Sequence, residues 1–221
     1  MALDYSSTSF RGVIPFSGGI DSTAALYKTL TENPNEYYLI YRIQLVNGTS
    51  GHRTIREGMA AEKILHWMEA QGINNFAFRS LSFDYSSLGM MPPVWDSEII
   101  NFVASVVVQA KPEIFEFIEG AIKNDYEDVD FKDRLEKIAG IFYTSSGRTP
   151  ENFKFIFPLK DMSKYEIMQY LPGELLALTW SCRYPEIGPP YTFVRCHKCP
   201  QCNIIDKIID EHPGKFDDYL F

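Results

Sequence analysis

The segment from Ser17 to Thr23 reads Ser-Gly-Gly-Ile-Asp-Ser-Thr and combines hydroxyl side chains with two adjacent glycines. Gly18 and Gly19 allow the backbone to take positive φ angles and to approach a ligand closely. If a helix follows, its first amides are unpaired donors, and the helix dipole favours negative charge at that end. The hydroxyl groups add further donors, so the segment predicts a cradle for phosphate groups.

Asp21 is the single acidic residue of this turn. A carboxylate does not bind phosphate directly, so we expect Asp21 either to fix the turn through backbone amides or to help hold Mg²⁺. The turn lacks the Gly-Lys-Ser/Thr of a Walker loop and the Gly-x-Gly-x-x-Gly of a dinucleotide-binding fold. The alternative without ligand chemistry is a capped turn between a strand and a helix, with Ser and Asp as ordinary capping residues.

The cysteines form a second group, because all four of them lie in one short C-terminal stretch. Three are spaced Cys-x-x-Cys-x-x-Cys, so their thiolates can point to one centre, and the fourth lies upstream. Tetrahedral Zn²⁺ with four sulfur ligands fits this pattern, and such closed sites are structural. An iron–sulfur cluster, a zinc site that uses His197, and disulfides or free thiols stay open as alternatives. The predicted metal ligands are Cys182, Cys196, Cys199 and Cys202.

Strands and helices alternate along most of the chain. Runs rich in β-branched and aromatic residues indicate strands, and apolar residues at helical spacing indicate helices. We predict strands at 12–16, 37–45, 76–83, 114–118 and 153–157, and helices at 23–31, 53–71, 96–110, 131–142, 163–171 and 203–211. This alternation predicts an α/β fold, with a Rossmann-like parallel sheet and helices on both faces. The composition changes near Thr179, which predicts a main domain over 1–178 and a small C-terminal zinc module with four cysteine ligands over 179–221.

The overall charge of the chain disfavours nucleic acid and anionic membrane as partners. The 221 residues include 21 basic and 29 acidic side chains, for a formal charge of −8. This balance disfavours broad binding to nucleic acid or to anionic membrane, because both need a surplus of exposed Lys and Arg. The longest markedly apolar run, 102–108, is too short to span a bilayer. The first eleven residues lack the pattern of a signal peptide, so we expect a cytoplasmic protein with reduced cysteines.

The sequence Ser-Gly-Gly-Ile-Asp-Ser-Thr resembles the PP-loop of the ATP pyrophosphatase superfamily, also called the N-type family. The resemblance implies an adenine-nucleotide-binding domain that binds ATP with Mg²⁺ and transfers AMP to a carboxylate or carbonyl oxygen. A further similarity, Pro-Leu-x-x-x-x-Lys-x-Glu-Ile over 158–167, implies that Lys164 lies near the phosphates; taken alone, Lys164 would be a solvated helix residue. The implied catalytic residues are Asp21 and Lys164, and the implied nucleotide-binding residues are Ser17, Gly18, Gly19, Ile20, Asp21, Ser22 and Thr23.

Thr-Trp-Ser-Cys at 179–182, followed by the three closely spaced cysteines, resembles the 7-cyano-7-deazaguanine synthases within that superfamily. These enzymes belong to the queuosine precursor pathway. The resemblance implies that 7-carboxy-7-deazaguanine, ammonia and ATP are converted to the nitrile, and it implies a homodimer. Asp125 and Arg134 are the candidate substrate-binding residues. The aromatic candidates for stacking on the base are Phe83, Tyr85, Trp95 and Tyr184.

Two segments depart from the pattern of those synthases. The synthases have a Tyr-Pro-Asp-Cys-Arg segment, of which this chain retains only Asp125 and, further on, Asp133-Arg134. The synthases also have Pro-Gly-Arg-Asn at the place where residues 91–94 of this chain read Met-Pro-Pro-Val. If a metal takes all four thiolates, no cysteine remains for glutamine hydrolysis, so free ammonia is the expected nitrogen donor.

Two alternatives stay open. One is another adenylating enzyme of the superfamily, which forms an amide or acts on a different carboxylate, and the other is a non-catalytic nucleotide-binding or zinc-stapled module.

Overall fold

The computed structural model describes residues 9–46, 51–88, 96–189 and 192–216. The predictions for the 91–94 segment and for Trp95 lie outside these residues. The helices are α1 (Ile20–Glu32), α2 (Gly51–Ala70), α3 (Ser97–Ala110), α4 (Lys123–Tyr126), α5 (Val129–Ser146), α6 (Lys164–Tyr170), α7 (Gly173–Leu178) and α8 (Pro200–Glu211). The strands are β1 (Gly12–Pro15), β2 (Tyr38–Val46), β3 (Phe76–Asp84), β4 (Glu116–Ile118), β5 (Lys154–Ile156), β6 (Glu186–Gly188) and β7 (Thr192–Val194).

Strands β1 to β5 form one parallel sheet in the order β3-β2-β1-β4-β5. Gly12 in β1 is in register with Tyr38 in β2 on one side and with Glu116 in β4 on the other. The chain therefore builds β2 and β3 on one side of β1 and then returns to add β4 and β5 on the opposite side. Such a reversal leaves a crevice at the carboxyl ends of the two central strands, where ligands bind in open α/β sheets.

Both faces of the sheet are covered by helices. Ile14 and Ile40 pack in a core with α1, α2, α6, α7 and α8, whereas Val13 and Tyr41 pack with α3 and α5 on the other face. Because successive side chains of a strand point to opposite faces, β1 and the first half of β2 are apolar on both faces, and polar residues enter β2 at Arg42 and Gln44. The predicted parallel sheet with helices on both faces is confirmed.

The structure adds elements that the sequence did not indicate. Helices α4 and α7 contain only 4 and 6 residues, which is too short for a helical repeat of apolar residues to be recognised. Helix α8 begins at Pro200, earlier than predicted, because the Cys199 side chain caps it and proline suits the first helical position.

The C-terminal segment packs on the same layer as α1 and α2. Ile205, Ile208 and Phe216 belong to the core cluster on that face of the sheet. The antiparallel hairpin β6–β7 pairs Glu186 with Val194. The domain boundary between 178 and 179 stays a prediction. Within the described ranges, none of the helices has the length and hydropathy needed to cross a membrane.

Candidate functional site

The turn between β1 and α1 is held by a close contact between its backbone and helix α2. Gly18 has a φ angle of 80°, a left-handed conformation that favours glycine. A Cβ atom at this position would lie 2.9 Å from the Ala61 amide nitrogen and 3.1 Å from the Glu57 carbonyl oxygen. Both the conformation and the lack of space require glycine here, and the contact determines where α1 begins.

The serine hydroxyls of the turn bond to each other and to its backbone. The Oγ atoms of Ser17 and Ser22 lie 3.0 Å apart. The Gly19 amide donates to Ser17 Oγ at 3.3 Å, and Ser22 Oγ donates to the Gly19 carbonyl at 3.2 Å. Gly19 is the N-cap of α1 and supplies no side-chain acceptor. The cap residue therefore leaves the amides at the positive end of α1 without a side-chain acceptor. Because this end faces the crevice, it favours binding of an anion there.

A cavity of about 310 Å³ opens at the carboxyl ends of β1 and β4. Its walls come from the turn, the end of β2, the first residues of α2 and α3, and the segment that follows β4. Trp180, Ser181, Arg183 and Gln201 complete it from the C-terminal part of the chain. The cavity thus lies at the reversal of strand order, and it joins the turn to the cysteine-containing segment.

Asp21 and Lys164 form an ion pair beside the turn. Lys164 Nζ lies 2.7 Å from Oδ1 and 2.6 Å from Oδ2 of Asp21. The lysine is 4% exposed, and it begins helix α6 directly after the N-cap residue Ser163. Among the described residues, Asp21 lines the cavity and Lys164 does not. The lysine therefore affects the cavity indirectly, because it neutralises and positions the Asp21 carboxylate that lines it.

Two further carboxylates, Glu119 and Asp125, line the cavity after β4. Burial, together with the nearby charge of Asp125, raises the pKa of Glu119 to about 7. Burial also raises the pKa of Asp125. The hydrogen bond that Asp125 Oδ2 accepts from the Ile122 amide at 2.9 Å lowers this pKa, but the effect of burial is larger. Glu119 Oε2 is buried and has no hydrogen-bond partner in the part of the chain that the structure describes.

An ion group at the starts of α2 and α3 forms another wall of the cavity. Arg53 Nε lies 2.7 Å from Glu57 Oε1, and Arg53 Nη2 lies 2.6 Å from Asp96 Oδ2. Burial lowers the pKa of Arg53, but the two carboxylates outweigh this effect and leave it raised. The Arg53 charge is thus already matched by protein carboxylates.

The structure brings most of the predicted site residues to this cavity. Asp125 lines it, whereas Arg134 pairs with Glu98 between α5 and α3 and is not among the described lining residues. Gly18 supports the turn from the α2 side, and Thr23 is fully buried. The roles assigned to these residues stay predictions. The members of the predicted nucleotide-binding set that line the cavity are Ser17, Gly19, Ile20, Asp21 and Ser22.

The aromatic residues of the cavity differ from the candidates for stacking. Phe131 and Trp180 line it, and neither was among the candidates for stacking. Among the described lining residues, Phe83, Tyr85 and Tyr184 are absent. Glu119 and Arg53 were also missed, because each is a single charged residue without a diagnostic spacing. Only the strand order brings them to one place.

The four cysteines converge on one point. Their Sγ atoms all lie within 4.8 Å of one another, and all four side chains are buried. Three backbone amides donate to the sulfurs of Cys182, Cys196 and Cys199 at 3.3, 3.4 and 3.5 Å, and such bonds favour thiolates. His197 is exposed, and its Nδ1 lies 2.9 Å from Asp206 Oδ2. The group can bind a metal ion, as the spacing of the cysteines predicted.

The cysteine cluster is joined to the turn through Trp180 and Ser181. The Trp180 amide donates to the Gly18 carbonyl at 2.8 Å, and the Ile20 amide donates to Ser181 Oγ at 3.2 Å. Trp180 also packs in the apolar cluster formed by the cysteines. A metal bound by the cysteines would therefore stabilise one wall of the cavity.

Among solved structures, one with a similar fold is the U34-tRNA thiolase NcsA from Methanococcus maripaludis, determined with its [4Fe-4S] cluster. The superposition has a TM-score of 0.53 and covers 95% of this chain and 69% of that one, at 17% sequence identity. At this identity the likeness shows the fold. No known protein-family profile and no curated protein sequence matches the chain.

Replacing Gly18 by alanine tests the contact between the turn and α2. We expect the free energy of unfolding to fall by roughly 1–3 kcal/mol, because the new residue must adopt a left-handed conformation against helix backbone. The matched control is Gly140→Ala within α5, where a Cβ would meet nothing within 4 Å; it should stabilise the protein by up to about 1 kcal/mol. Chemical denaturation measures both changes, and a Gly18→Ala variant as stable as the wild type would contradict the assignment.

The raised pKa of Glu119 predicts a pH-dependent effect of Glu119→Gln. Below pH 4.5 the carboxyl is protonated in both the folded and the unfolded chain, and between 4.5 and about 7 only the unfolded chain loses the proton. The wild type is therefore penalised as the pH rises through this range, and the penalty is complete above 7. We expect Glu119→Gln to raise Tm by roughly 2–8 °C at pH 8 and to leave it unchanged near pH 4. An equal Tm difference at both pH values would show that Glu119 is not the group responsible.

Proposed function

We propose that the chain is an ATP-dependent enzyme of the PP-loop type, which cleaves ATP to AMP and pyrophosphate while it adenylates an acid. The observation that supports this most directly is the turn at Ser17–Ser22, where hydroxyls and the amino end of α1 face a cavity at the reversal of strand order. Helix amino ends of this kind bind phosphate. The proposal also uses the resemblance of the turn sequence to the PP-loop.

In the proposed reaction, the turn binds the β and γ phosphates. Negative charge builds up on pyrophosphate as it leaves, so donors fixed before the reaction lower the barrier. The Asp21 carboxylate is already neutralised by Lys164, and it can orient that lysine and a water ligand of Mg²⁺ without strongly repelling the phosphates. Mg²⁺ keeps several waters and is held mainly by phosphate oxygens, so the turn itself need not supply several carboxylates.

We further propose that the acid is 7-carboxy-7-deazaguanine and that the product is 7-cyano-7-deazaguanine. The carboxylate attacks the α phosphate and pyrophosphate leaves, which gives an acyl adenylate. Ammonia then displaces AMP to form the amide and releases a proton. A second ATP adenylates the amide oxygen, with release of pyrophosphate and one amide proton, and loss of AMP with the second proton gives the nitrile. The support is the Thr-Trp-Ser-Cys motif and the Cys-x-x-Cys-x-x-Cys spacing next to the turn.

The metal that we propose for the cysteine cluster is Zn²⁺ in a structural role. Zinc–sulfur bonds of about 2.3 Å place tetrahedral thiolates about 3.8 Å apart. The Sγ atoms of Cys196 and Cys202 lie 4.0 Å apart, and no pair among the four exceeds 4.8 Å. A cubane iron–sulfur cluster binds its thiolates on separate iron atoms and therefore needs a wider set. With all four thiolates on one ion, free ammonia is the proposed nitrogen donor.

A second candidate is an adenylating enzyme that forms an amide or uses a different acid. Two observations favour keeping it: Arg134 pairs with Glu98 away from the cavity lining, and an unpredicted carboxylate, Glu119, lines the cavity. The structural neighbour acts on tRNA. A tRNA substrate is disfavoured for this chain by its formal charge of −8.

Incubation with ATP, ammonia and 7-carboxy-7-deazaguanine tests the proposed reaction. We expect two AMP and two pyrophosphate for each nitrile detected by mass spectrometry. Ser22→Ala, which leaves the Asp21–Lys164 pair intact, should lower kcat/KM by roughly 10²-fold or more through loss of a donor to the phosphates. Asp210→Asn, on the exposed side of α8, is the matched control and should behave as wild type. Amide without nitrile would select the second candidate, and no AMP release with any acid would contradict both.

Elemental analysis tests the metal. We expect about one zinc per chain, and we expect Cys199→Ser to lose it together with soluble yield, because the ion holds a segment with few apolar residues of its own. Lys198→Ala changes an exposed neighbour and should keep full zinc content. A visible absorbance band with iron in place of zinc would overturn this assignment.

A further inference from the structure

Glu119 is the least satisfied polar side chain of the cavity. It follows β4 directly, and its backbone amide donates to the Ile156 carbonyl at 2.9 Å, so the sheet fixes its position. The side chain lines the cavity, while its Oε2 atom is buried without a hydrogen-bond partner in the described ranges. An acceptor left in this state costs free energy in the free protein, and a ligand that supplies donors would recover it once the side chain turns Oε2 toward the cavity.

The neighbours of Glu119 do not supply those donors. Tyr41 is close enough to feel its charge, but the Tyr41 hydroxyl donates to the Ile100 carbonyl at 2.8 Å. The other groups that interact with its charge are Asp125 and Tyr126. Asp125 is itself acidic and accepts a hydrogen bond from the Ile122 amide, and the Tyr126 hydroxyl does not donate to Glu119 Oε2, which has no partner in the described ranges. The cavity therefore combines the phosphate donors of the turn with two carboxylates, Glu119 and Asp125, that offer only acceptors when they are ionised.

The two carboxylates restrict which part of a ligand can contact them. When ionised they would repel a phosphate or a substrate carboxylate, so the group that contacts Glu119 is expected to carry N–H donors. Phe131 packs edge-on against Tyr126, next to Asp125, and also lines the cavity. An aromatic ring beside the carboxylates suits a flat heterocycle, because bases stack on aromatic side chains.

We propose that Glu119 determines base specificity by accepting hydrogen bonds from two adjacent N–H groups, the N1–H and 2-amino groups of a guanine-type base. Two parallel bonds to one carboxylate are strong and depend on geometry. Adenine does not fit this pattern, since its N1 is an acceptor and would face the carboxylate oxygen. The inference rests on the proposed function for the identity of the substrate, but the contact can be measured without turnover.

The experiment compares two bases in two proteins. The probes are 7-carboxy-7-deazaguanine and its analogue without the 2-amino group, and the proteins are wild type and Glu119→Gln. In wild type we expect removal of the 2-amino group to weaken binding by roughly 10–100-fold, the range for a hydrogen bond to a charged group. In Glu119→Gln the two probes should bind within about 3-fold of each other, while the KM for ATP stays near the wild-type value. The matched control is Glu127→Gln, an exposed glutamate in the same segment, which should keep full discrimination.

Calorimetric titration with guanine and hypoxanthine, in the absence of ATP, separates this inference from the proposed reaction. If wild type prefers guanine and Glu119→Gln does not, the role of Glu119 is supported even when no nitrile forms, and only the reaction is wrong. If the nitrile forms but Glu119→Gln discriminates as wild type does, the reaction stands and this inference is overturned. It is also overturned if Glu119→Gln lowers kcat with unchanged KM and removes an ionisation near pH 7 from the rate profile, because that behaviour indicates proton transfer.

Glu119→Asp, with the same charge on a shorter side chain, should recover part of the discrimination.

Discussion

The contact between the Gly18 backbone and helix α2 is the constraint on which the candidate site depends. With φ at 80° and no room for a Cβ, the turn lies directly on α2, and α1 begins at the crevice between β1 and β4. The same residue accepts the Trp180 amide through its carbonyl. One glycine thus fixes the amino end of α1, its distance from α2 and its connection to the cysteine-containing segment.

Charged and polar groups of both signs surround the cavity. The turn supplies donors, and Lys164 neutralises Asp21 without lining the cavity itself. The charge of Arg53 is matched by Glu57 and Asp96. Among the described residues, Glu119 is the carboxylate that has a buried oxygen without a hydrogen-bond partner. The cavity thus combines hydroxyl donors on the turn with a carboxylate oxygen that has no donor among the described residues.

The sequence predicted the parts of this structure that depend on local pattern. The glycines of the turn, the alternation of strands and helices and the four converging cysteines each have a characteristic spacing. The order of the strands has no such pattern, and with it the meeting of Glu119, Phe131 and Trp180 at one cavity could not be predicted. Arg134 illustrates the converse, since proximity in sequence to Asp125 did not bring it to the cavity.

Two parts of the cavity wall are built in different ways. The turn consists largely of backbone in van der Waals contact with neighbouring backbone, as Gly18 against α2 and Gly120 against Asp21 demonstrate. Other parts of the wall consist of side chains, among them Glu119, Asp125 and Phe131. A change in one of these side chains leaves the backbone frame of the turn untouched, so during evolution this architecture can change what the cavity binds by point substitution while the turn is retained.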